Sequence, residues 1–333
     1  MICPICKIRK LTDMKKIFLF EPSIASNNIG DQIIVESIKK ELSKILYGNF
    51  CIELPTHTPI SNRYMYFLGK PDMKFICGSN IIVENLNSII HLKQWMLNPL
   101  TMCHINNSIF IGVGIQRYNP QMGFFTKHAY RKFFNKNFLH SVRDCYTERI
   151  LKSIGIKNVI NTGCPTMWSL TEDHCKNISK KKSVRVIFTL TDYSINPKRD
   201  NYLLFILKNK YQEVYFWPQG YNDYSYFKTL NNIKDIQVVE PCLASYDALL
   251  ERGNIDYIGT RLHGGIRALQ KGIRTLIIGI DNRALELHND FNLPVLKQDN
   301  IEQLPFMIDN TIEVNIHLPT QNISNFLIQF KCL

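Results

Sequence analysis

The sequence has no apolar run long enough to cross a membrane. None of its runs reaches the roughly 18 residues that a spanning helix needs, and Met1 to Lys7 lack the apolar core of a secretory signal. We therefore expect a cytoplasmic protein. Glycine and proline are scarce too, at 16 and 14 of 333 residues, which excludes collagen-like and low-complexity chains.

Several chemical signatures are also missing. There is no zinc-finger or RNP pattern, so only net charge could point to nucleic acid. There is no H-E-x-x-H, no pair of catalytic carboxylates and no nucleophile elbow, which argues against zinc proteases and serine hydrolases. No protein cage for a metal is visible, and a divalent cation stays an open alternative.

The cysteines carry little information on function. Ten cysteines without a secretion signal predict reduced thiols. Cys3 and Cys6 form one C-x-x-C, which is half of a tetrahedral zinc site without its second half. Because Met14 precedes two lysines and an apolar run, residues 1–13 are expected to be an extension outside the fold.

The net charge of +12 fits nucleic acid, an anionic membrane surface or acidic small molecules. The basic runs are short, which favours a solvated surface over nucleic acid. One stretch mixes basic and aromatic residues, and fits either peripheral contact with the inner membrane surface or the more common core face of a helix. Its members are Phe124, Phe125, Lys127, Tyr130, Arg131, Lys132, Phe133, Phe134, Lys136 and Phe138.

Strand-like and helix-like runs alternate from residue 16 onwards, which predicts an α/β fold of parallel sheets covered by helices. The length of 333 residues favours two domains, predicted at 14–175 and 183–333 with a polar, Lys-rich linker from Asp173 to Ser183. The predicted strands are 17–20, 51–54, 75–77, 109–113, 140–142, 159–161, 184–190, 214–217, 236–239, 255–259 and 275–280, and helices are predicted at 31–46, 126–137 and 145–154.

Polar residues follow many of these strands, where open α/β sheets bind their ligands. Arg143 ends one strand as a possible anion clamp, and an Asn/Gly loop after the first strand enters a helix. Taken alone, that loop is more typical of an ordinary Asx turn with an N-cap. The other candidates for a substrate cleft are Asn28, Gly30, Asp31, Gly78, Asn80, Gln116, Gln219, Asp281 and Arg283.

The most informative segment runs from Asn254 to Gly272. An apolar strand leads to a turn carrying Arg261 and His263 and then to an amphipathic helix that contains Gly264. A helix N-terminus with glycines offers free N–H groups to an anion, the Arg adds a charged fork, and the His adds a proton near neutral pH. The alternative is scaffolding, in which the Arg holds a carboxylate and the His bonds a backbone carbonyl.

The order of short motifs resembles the polysaccharide pyruvyl transferase family over about residues 15 to 300. The motifs are Asn28-Ile29-Gly30-Asp31, Gly112-Val113-Gly114, Val142-Arg143-Asp144, Gly163-Cys164-Pro165 and Gly259-Thr260-Arg261-Leu262-His263-Gly264. The resemblance implies a GT-B-like fold, in which two Rossmann-like domains face a cleft. It also implies transfer of pyruvate from phosphoenolpyruvate to two hydroxyls of one sugar, as a cyclic ketal, in surface polysaccharide biosynthesis.

By the same resemblance, phosphoenolpyruvate is held by Arg143, Arg261, Leu262, His263 and Gly264, and the acceptor is a sugar, with lipid linkage left open. Cys164 stands where many members have an acidic residue. The donor carries about three negative charges, which two Arg forks and a helix N-terminus complement. Ketal formation needs a proton on the methylene carbon, and His263 is predicted to supply it.

Two other function classes remain open from the sequence. A GT-B glycosyltransferase would use a similar basic cleft for a nucleotide sugar. A non-catalytic protein bound to an anionic surface would not need Arg261 and His263. No cofactor is predicted beyond phosphoenolpyruvate as the donor substrate.

Overall fold

The computed structural model describes residues 14–86, 95, 97 and 101–331. Cys3, Cys6 and the expected extension at 1–13 lie outside these residues. The strands are β1 (Lys16–Glu21), β2 (Phe50–Pro55), β3 (Met73–Cys77), β4 (Ile109–Ile111), β5 (His140–Val142), β6 (Val159–Asn161), β7 (Arg185–Phe188), β8 (Glu213–Phe216), β9 (Gln237–Val238), β10 (Ile255–Gly259), β11 (Thr275–Gly279) and β12 (Val295–Lys297). The helices are α1 (Gly30–Glu41), α2 (Ser43–Leu46), α3 (Asn62–Leu68), α4 (Phe124–Phe133), α5 (Cys145–Ser153), α6 (Glu172–Lys176), α7 (Pro197–Lys210), α8 (Asp223–Phe227), α9 (Leu243–Glu251), α10 (Leu262–Gln270), α11 (Asn282–Phe291), α12 (Leu304–Asp309) and α13 (Thr320–Ile328).

The first half of the chain builds a parallel sheet in the order β2-β1-β3-β4. A parallel bridge between Val113 and Val142 continues it towards β5 and β6, which pair with each other. Because β1 is flanked by β2 and β3, the direction of winding reverses beside β1. The loops after β1 and β3 therefore lie where such sheets bind ligands.

The second half builds a six-stranded sheet in the order β12-β11-β10-β7-β8-β9, and its pairs are parallel. Here the direction of winding reverses between β7 and β10. The residues after β10 are Thr260 and Arg261, so the segment singled out in the sequence lies at this point of reversal. Two Rossmann-like α/β units facing a cleft make up the GT-B-like fold.

All eleven predicted strands coincide with β1 to β11. The sequence did not predict β12, which has three residues. The predicted helix at 31–46 is divided at Leu42, where α1 ends and α2 begins.

The last described helix packs against the first half of the chain, whereas the second domain is predicted to run to residue 333. Helix α13 returns to the first half, where Phe326 and Phe330 are buried beside Ile17 and Phe75. The Phe330 ring meets the Phe75 ring edge-on at 5.6 Å between centroids. An apolar face this well buried stabilises the return of the chain.

The predicted linker between Asp173 and Ser183 is also more ordered than its composition indicated. It starts within α6, and Cys175 and Ile178 are buried. The Lys180 carbonyl accepts hydrogen bonds from Arg274 Nε at 3.2 Å and from the N–H of Ile312 at 3.1 Å. Contacts distant in the sequence thus fix a stretch that has no apolar periodicity of its own.

The aromatic and basic stretch around α4 is largely a core face. Tyr130, Phe133 and Phe134 are buried, whereas the Phe124 side chain is 83% exposed. The structure therefore explains most of these aromatics by packing. Within the described residues, no helix has the length and apolar character needed to cross a membrane.

Candidate functional site

Arg261 lies two residues after the end of β10 and occupies the N-cap position of α10. Its Nε donates to the Leu190 carbonyl at 2.9 Å and to Asp223 Oδ2 at 3.0 Å, and its NH2 donates to Asp223 Oδ1 and, at 2.9 Å, to Asp192 Oδ1. The side chain is 3% exposed. The Nε and NH2 of this guanidinium thus face two carboxylates.

The residues around Arg261 explain how its guanidinium can pack so closely against the backbone. A Cβ on Gly220 would lie 2.0 Å from Arg261 NH2, so only glycine leaves room for the guanidinium. The Tyr257 hydroxyl donates to the Arg261 carbonyl at 2.7 Å. These contacts fix the direction in which α10 leaves the sheet.

His263 lies in the first turn of α10 and is 5% exposed. Burial, together with the positive charges of Arg283 and Arg143, lowers the pKa of His263 to about 3. Its Nε2 lies 3.8 Å from the Cys164 sulfur. The imidazole is therefore neutral near pH 7, and a nearby negative charge would have to raise this pKa before the side chain could donate a proton.

Arg143 directly follows β5 and is 2% exposed. Its NH1 donates to Asn80 Oδ1 at 2.7 Å and its Nε to Asp144 Oδ2 at 3.2 Å. The NH2 group is buried and has no hydrogen-bond partner among the described residues. A buried unsatisfied donor is costly, so this guanidinium is suited to an added anion.

The guanidinium of Arg143 rests on the backbone after β4. A Cβ on Gly114 would lie 2.3 Å from Arg143 Cζ. The second glycine of Gly112-Val113-Gly114 thus provides the space for this side chain. This is a physical reason for the motif that the sequence alone did not reveal.

Arg283, which lies in α11, also acts on His263 through its positive charge. Its Nε donates to Asp281 Oδ2 at 3.0 Å, and its guanidinium carbon lies 5.7 Å from the centre of the Tyr193 ring. Burial alone would raise the pKa of Asp281, but the Arg283 charge outweighs it and holds that pKa below its usual value. Asp281 also caps α11, so the ion pair is anchored at a helix N-terminus.

The loop after β1 joins the two halves. Asn28 pairs with Gly220 in an antiparallel bridge, and its Oδ1 accepts from Gln219 Nε2 at 2.8 Å. A Cβ on Gly30 would lie 2.6 Å from that Nε2, and one on Gly264 would lie 2.8 Å from Gln219 Oε1. Gln219 is therefore held between the first turns of α1 and α10.

Asp31 is buried in the first turn of α1 and accepts from Ser26 Oγ at 2.5 Å. Burial raises the pKa of its carboxyl, although Ser26 and the charges of Arg283 and Arg261 act in the opposite direction. The predicted cleft residues Asn28, Gly30, Asp31, Asn80, Gln219, Asp281 and Arg283 thus lie around the facing ends of the two sheets.

Three sequence candidates lie differently. Gly78, at φ +61°, packs under α1, where a Cβ would lie 2.4 Å from Ile34 Cγ2, so its role is close packing. Gln116 is half-buried and donates its backbone N–H to the Ile82 carbonyl at 3.0 Å. Leu262 is buried in the apolar core below α10, so its side chain serves packing.

The sequence reasoning missed the partners of the arginines, namely Asp192, Asp223 and Tyr193. Asp192 and Tyr193 follow β7, so the rule of polar residues at strand ends would have found them. Asp223 had no such signal, because it lies in the first turn of α8, 38 residues from Arg261.

Among the described residues, no group of three or more His, Cys, Asp or Glu side chains is placed to hold a metal ion. The described site instead gathers cationic side chains from both halves: Arg143 from the first, Arg283 from the second. His263 lies within reach of both charges. Such an arrangement suits a small anion with several negative charges.

A family model for polysaccharide pyruvyl transferase matches residues 28–282. No curated protein matches the chain by sequence. Among solved structures, the Methanocaldococcus jannaschii UDP-GlcNAc 2-epimerase in complex with UDP-GlcNAc and UDP is similar, with a TM-score of 0.56 and 11% identity over 95% of this chain and 98% of that one.

A second similar structure is that of S. aureus MnaA with UDP, with a TM-score of 0.51 and 11% identity over 90% of this chain and 92% of that one. At such identities these likenesses establish the fold alone.

Proposed function

The chain belongs to the polysaccharide pyruvyl transferase family, and from this premise we propose that it transfers pyruvate from phosphoenolpyruvate to two hydroxyls of one sugar, as a cyclic ketal. The observation that carries the proposal is the buried NH2 of Arg143, which has no hydrogen-bond partner among the described residues and lies in a site shared with His263 and Arg283. The donor's phosphate and carboxylate would complement the charges of the two guanidinium groups.

Arg143 and Arg283 are proposed as the direct contacts of the donor, one from each half of the chain. Arg261 is proposed as a positioning residue, because Asp223 and Asp192 occupy its guanidinium. The N–H groups at the start of α10, beside Gly264, would add favourable partial charge for the phosphate.

His263 is proposed as the proton carrier. Bound phosphoenolpyruvate would bring negative charge beside the imidazole and raise its pKa, so donor binding and protonation support each other. The imidazolium then gives its proton to the methylene carbon of phosphoenolpyruvate. The adjacent carbon becomes electron-deficient, and the first sugar hydroxyl bonds to it while its proton passes to His263.

Loss of phosphate with the bonding electron pair completes the exchange. The second sugar hydroxyl adds to the same carbon, and its proton leaves with the phosphate. The products are the cyclic ketal and inorganic phosphate, so atoms and charges balance without an external oxidant or reductant.

The first experiment is a thermal-shift comparison of phosphoenolpyruvate with UDP-GlcNAc. A ligand present at about 100 times its Kd adds about 2.7 kcal/mol of stability. We expect stabilisation by phosphoenolpyruvate that the Arg143→Gln variant loses. Stabilisation by the nucleotide sugar alone would overturn the proposal and favour a glycosyltransferase or epimerase activity.

A further inference from the structure

A groove of about 650 Å³ is lined in part by Gln219. Both halves of the chain line it: Asn27 and Asn28 come from the loop after β1, and Tyr221, Tyr224 and Glu240 come from the second half. Its volume is within the range of cavities that bind small organic ligands.

Two tyrosine rings stand open at this groove. Tyr221 is 78% exposed and Tyr224 is 44% exposed. The Lys228 ammonium lies 5.0 Å from the centre of the Tyr224 ring. Exposed aromatic rings beside amide and carboxylate groups can pack against an apolar ligand face and hydrogen-bond its polar edge.

The charge of the groove restricts its ligand. None of its lining residues is Lys or Arg, and its one ionic group is the Glu240 carboxylate, although the whole chain carries a net charge of +12. Lys228, whose ammonium lies against the Tyr224 ring, is not among the described lining residues, so a phosphate, a nucleotide diphosphate or an anionic lipid surface would find no cation within that lining. The composition of the groove instead suits an uncharged ligand rich in hydroxyls.

Gln219 connects the groove with the anion site. It lines the groove, yet a Cβ on Gly264 at the start of α10 would lie 2.8 Å from its Oε1. That Oε1 is buried and has no hydrogen-bond partner among the described residues. A hydroxyl at this boundary would supply the missing donor.

We infer that this groove, defined by Asn27, Gln219, Tyr221, Tyr224 and Glu240, binds an uncharged saccharide. It holds the sugar units of the acceptor that adjoin the unit receiving pyruvate. The inference rests on the proposed function for the identity of that acceptor, while the chemistry of the groove stands by itself.

The test uses the full chain and four neutral trisaccharides, of α-linked glucose, β-linked glucose, mannose and galactose. Binding is measured by saturation-transfer NMR, with UDP and phosphatidylglycerol vesicles as further probes. The variant is Tyr221→Ala with Tyr224→Ala, and the matched control is Tyr64→Ala with Tyr66→Ala, two exposed tyrosines of α3.

We expect at least one trisaccharide to bind, with a Kd raised about tenfold or more in the groove variant and unchanged in the control. The thermal shift with phosphoenolpyruvate should be equal in all three proteins. Absence of trisaccharide binding by the wild type, or equal binding by the groove variant, overturns the inference. Tyrosine-dependent binding of UDP or vesicles in place of sugar also overturns it.

The two proposals fail separately. Tyrosine-dependent sugar binding without any response to phosphoenolpyruvate supports the groove and counts against the pyruvyl donor. A thermal shift with phosphoenolpyruvate, in the absence of sugar binding, supports the pyruvyl donor and counts against the groove.

Discussion

Arg143 and Arg261 each follow a parallel strand and precede a helix, yet their environments differ. Arg261 bonds Asp223, Asp192 and a backbone carbonyl through its Nε and NH2, whereas Arg143 keeps a buried NH2 without a partner among the described residues. Two arginines at similar local positions can therefore have different hydrogen-bond partners, and these partners determine what each guanidinium can offer to a ligand.

The largest expected effect concerns the imidazole that lies near Arg143. In His263→Asn we expect turnover to fall by about 10²–10⁴, the usual contribution of a general acid. Donor binding and the folded fraction should change little, because Asn is polar and smaller. The test is the rate of ketal formation per folded molecule, with the folded fraction measured by circular dichroism. Near-normal turnover would show that His263 is not the general acid.

Arg261→Gln should chiefly lower stability. It leaves the Asp223 carboxylate buried without its cation, and removing one partner of a buried pair typically costs about 3–5 kcal/mol. Urea unfolding measures the change. The double variant with Asp223→Asn should recover part of the lost stability, since it removes the uncompensated charge. An Arg261→Gln variant that stays stable but binds the donor weakly would instead make Arg261 a donor contact.

Arg143→Gln should act on the donor instead. Loss of charge-assisted hydrogen bonds worth about 1.5–3 kcal/mol predicts roughly 10- to 150-fold weaker binding of phosphoenolpyruvate. Its loss of stability should be smaller than that of Arg261→Gln. Calorimetric titration with phosphoenolpyruvate measures the Kd of the variant and of the wild type. An unchanged Kd would show that Arg143 has only a structural role.

Folding should also depend on pH, through two buried histidines. Burial lowers the pKa of His140 to about 4, and burial with two arginines lowers that of His263 to about 3. Both are neutral when folded but protonate near pH 6.5 when unfolded, so the unfolded chain binds more protons below that pH. Stability should fall as pH drops from about 6.5 to 4, by about 1.4 kcal/mol per pH unit for each histidine.

This pH dependence also probes the Arg143 region. In Arg143→Gln one of the charges that depress the His263 pKa is gone, so the loss of stability on acidification should level off at a higher pH than in the wild type. Urea unfolding at several pH values measures the pH at which it levels off. The same pH in both proteins would show that Arg143 does not act on His263.

Local patterns were sufficient for most of the fold. Apolar runs such as Ile255 to Gly259 gave the strands because both faces of a parallel sheet are buried. The three residues of β12 follow Pro294 and form too short a run to stand out. The return of α13 to the first half depends on Phe326 and Phe330 meeting residues about 250 positions earlier, as with Phe75, and no local pattern encodes that.

The site was predicted less completely, for the same reason. Strand ends indicated Arg143, His263 and Arg283, because topology places such residues together. The state of Arg261 depends on carboxylates 38 and 69 residues away. The low pKa of His263 depends on burial, which a sequence motif does not specify.

The return of α13 also has a mechanical consequence. The chain passes from the first half to the second before β7 and back again after α12, so two covalent segments tie the halves together. Two connections make a double hinge: the halves can rotate about the line through both connections, and rotation about other axes is restricted. A chain that ended before residue 318 would lose the second connection, and the Phe75 ring would lose its contact with the Phe330 ring.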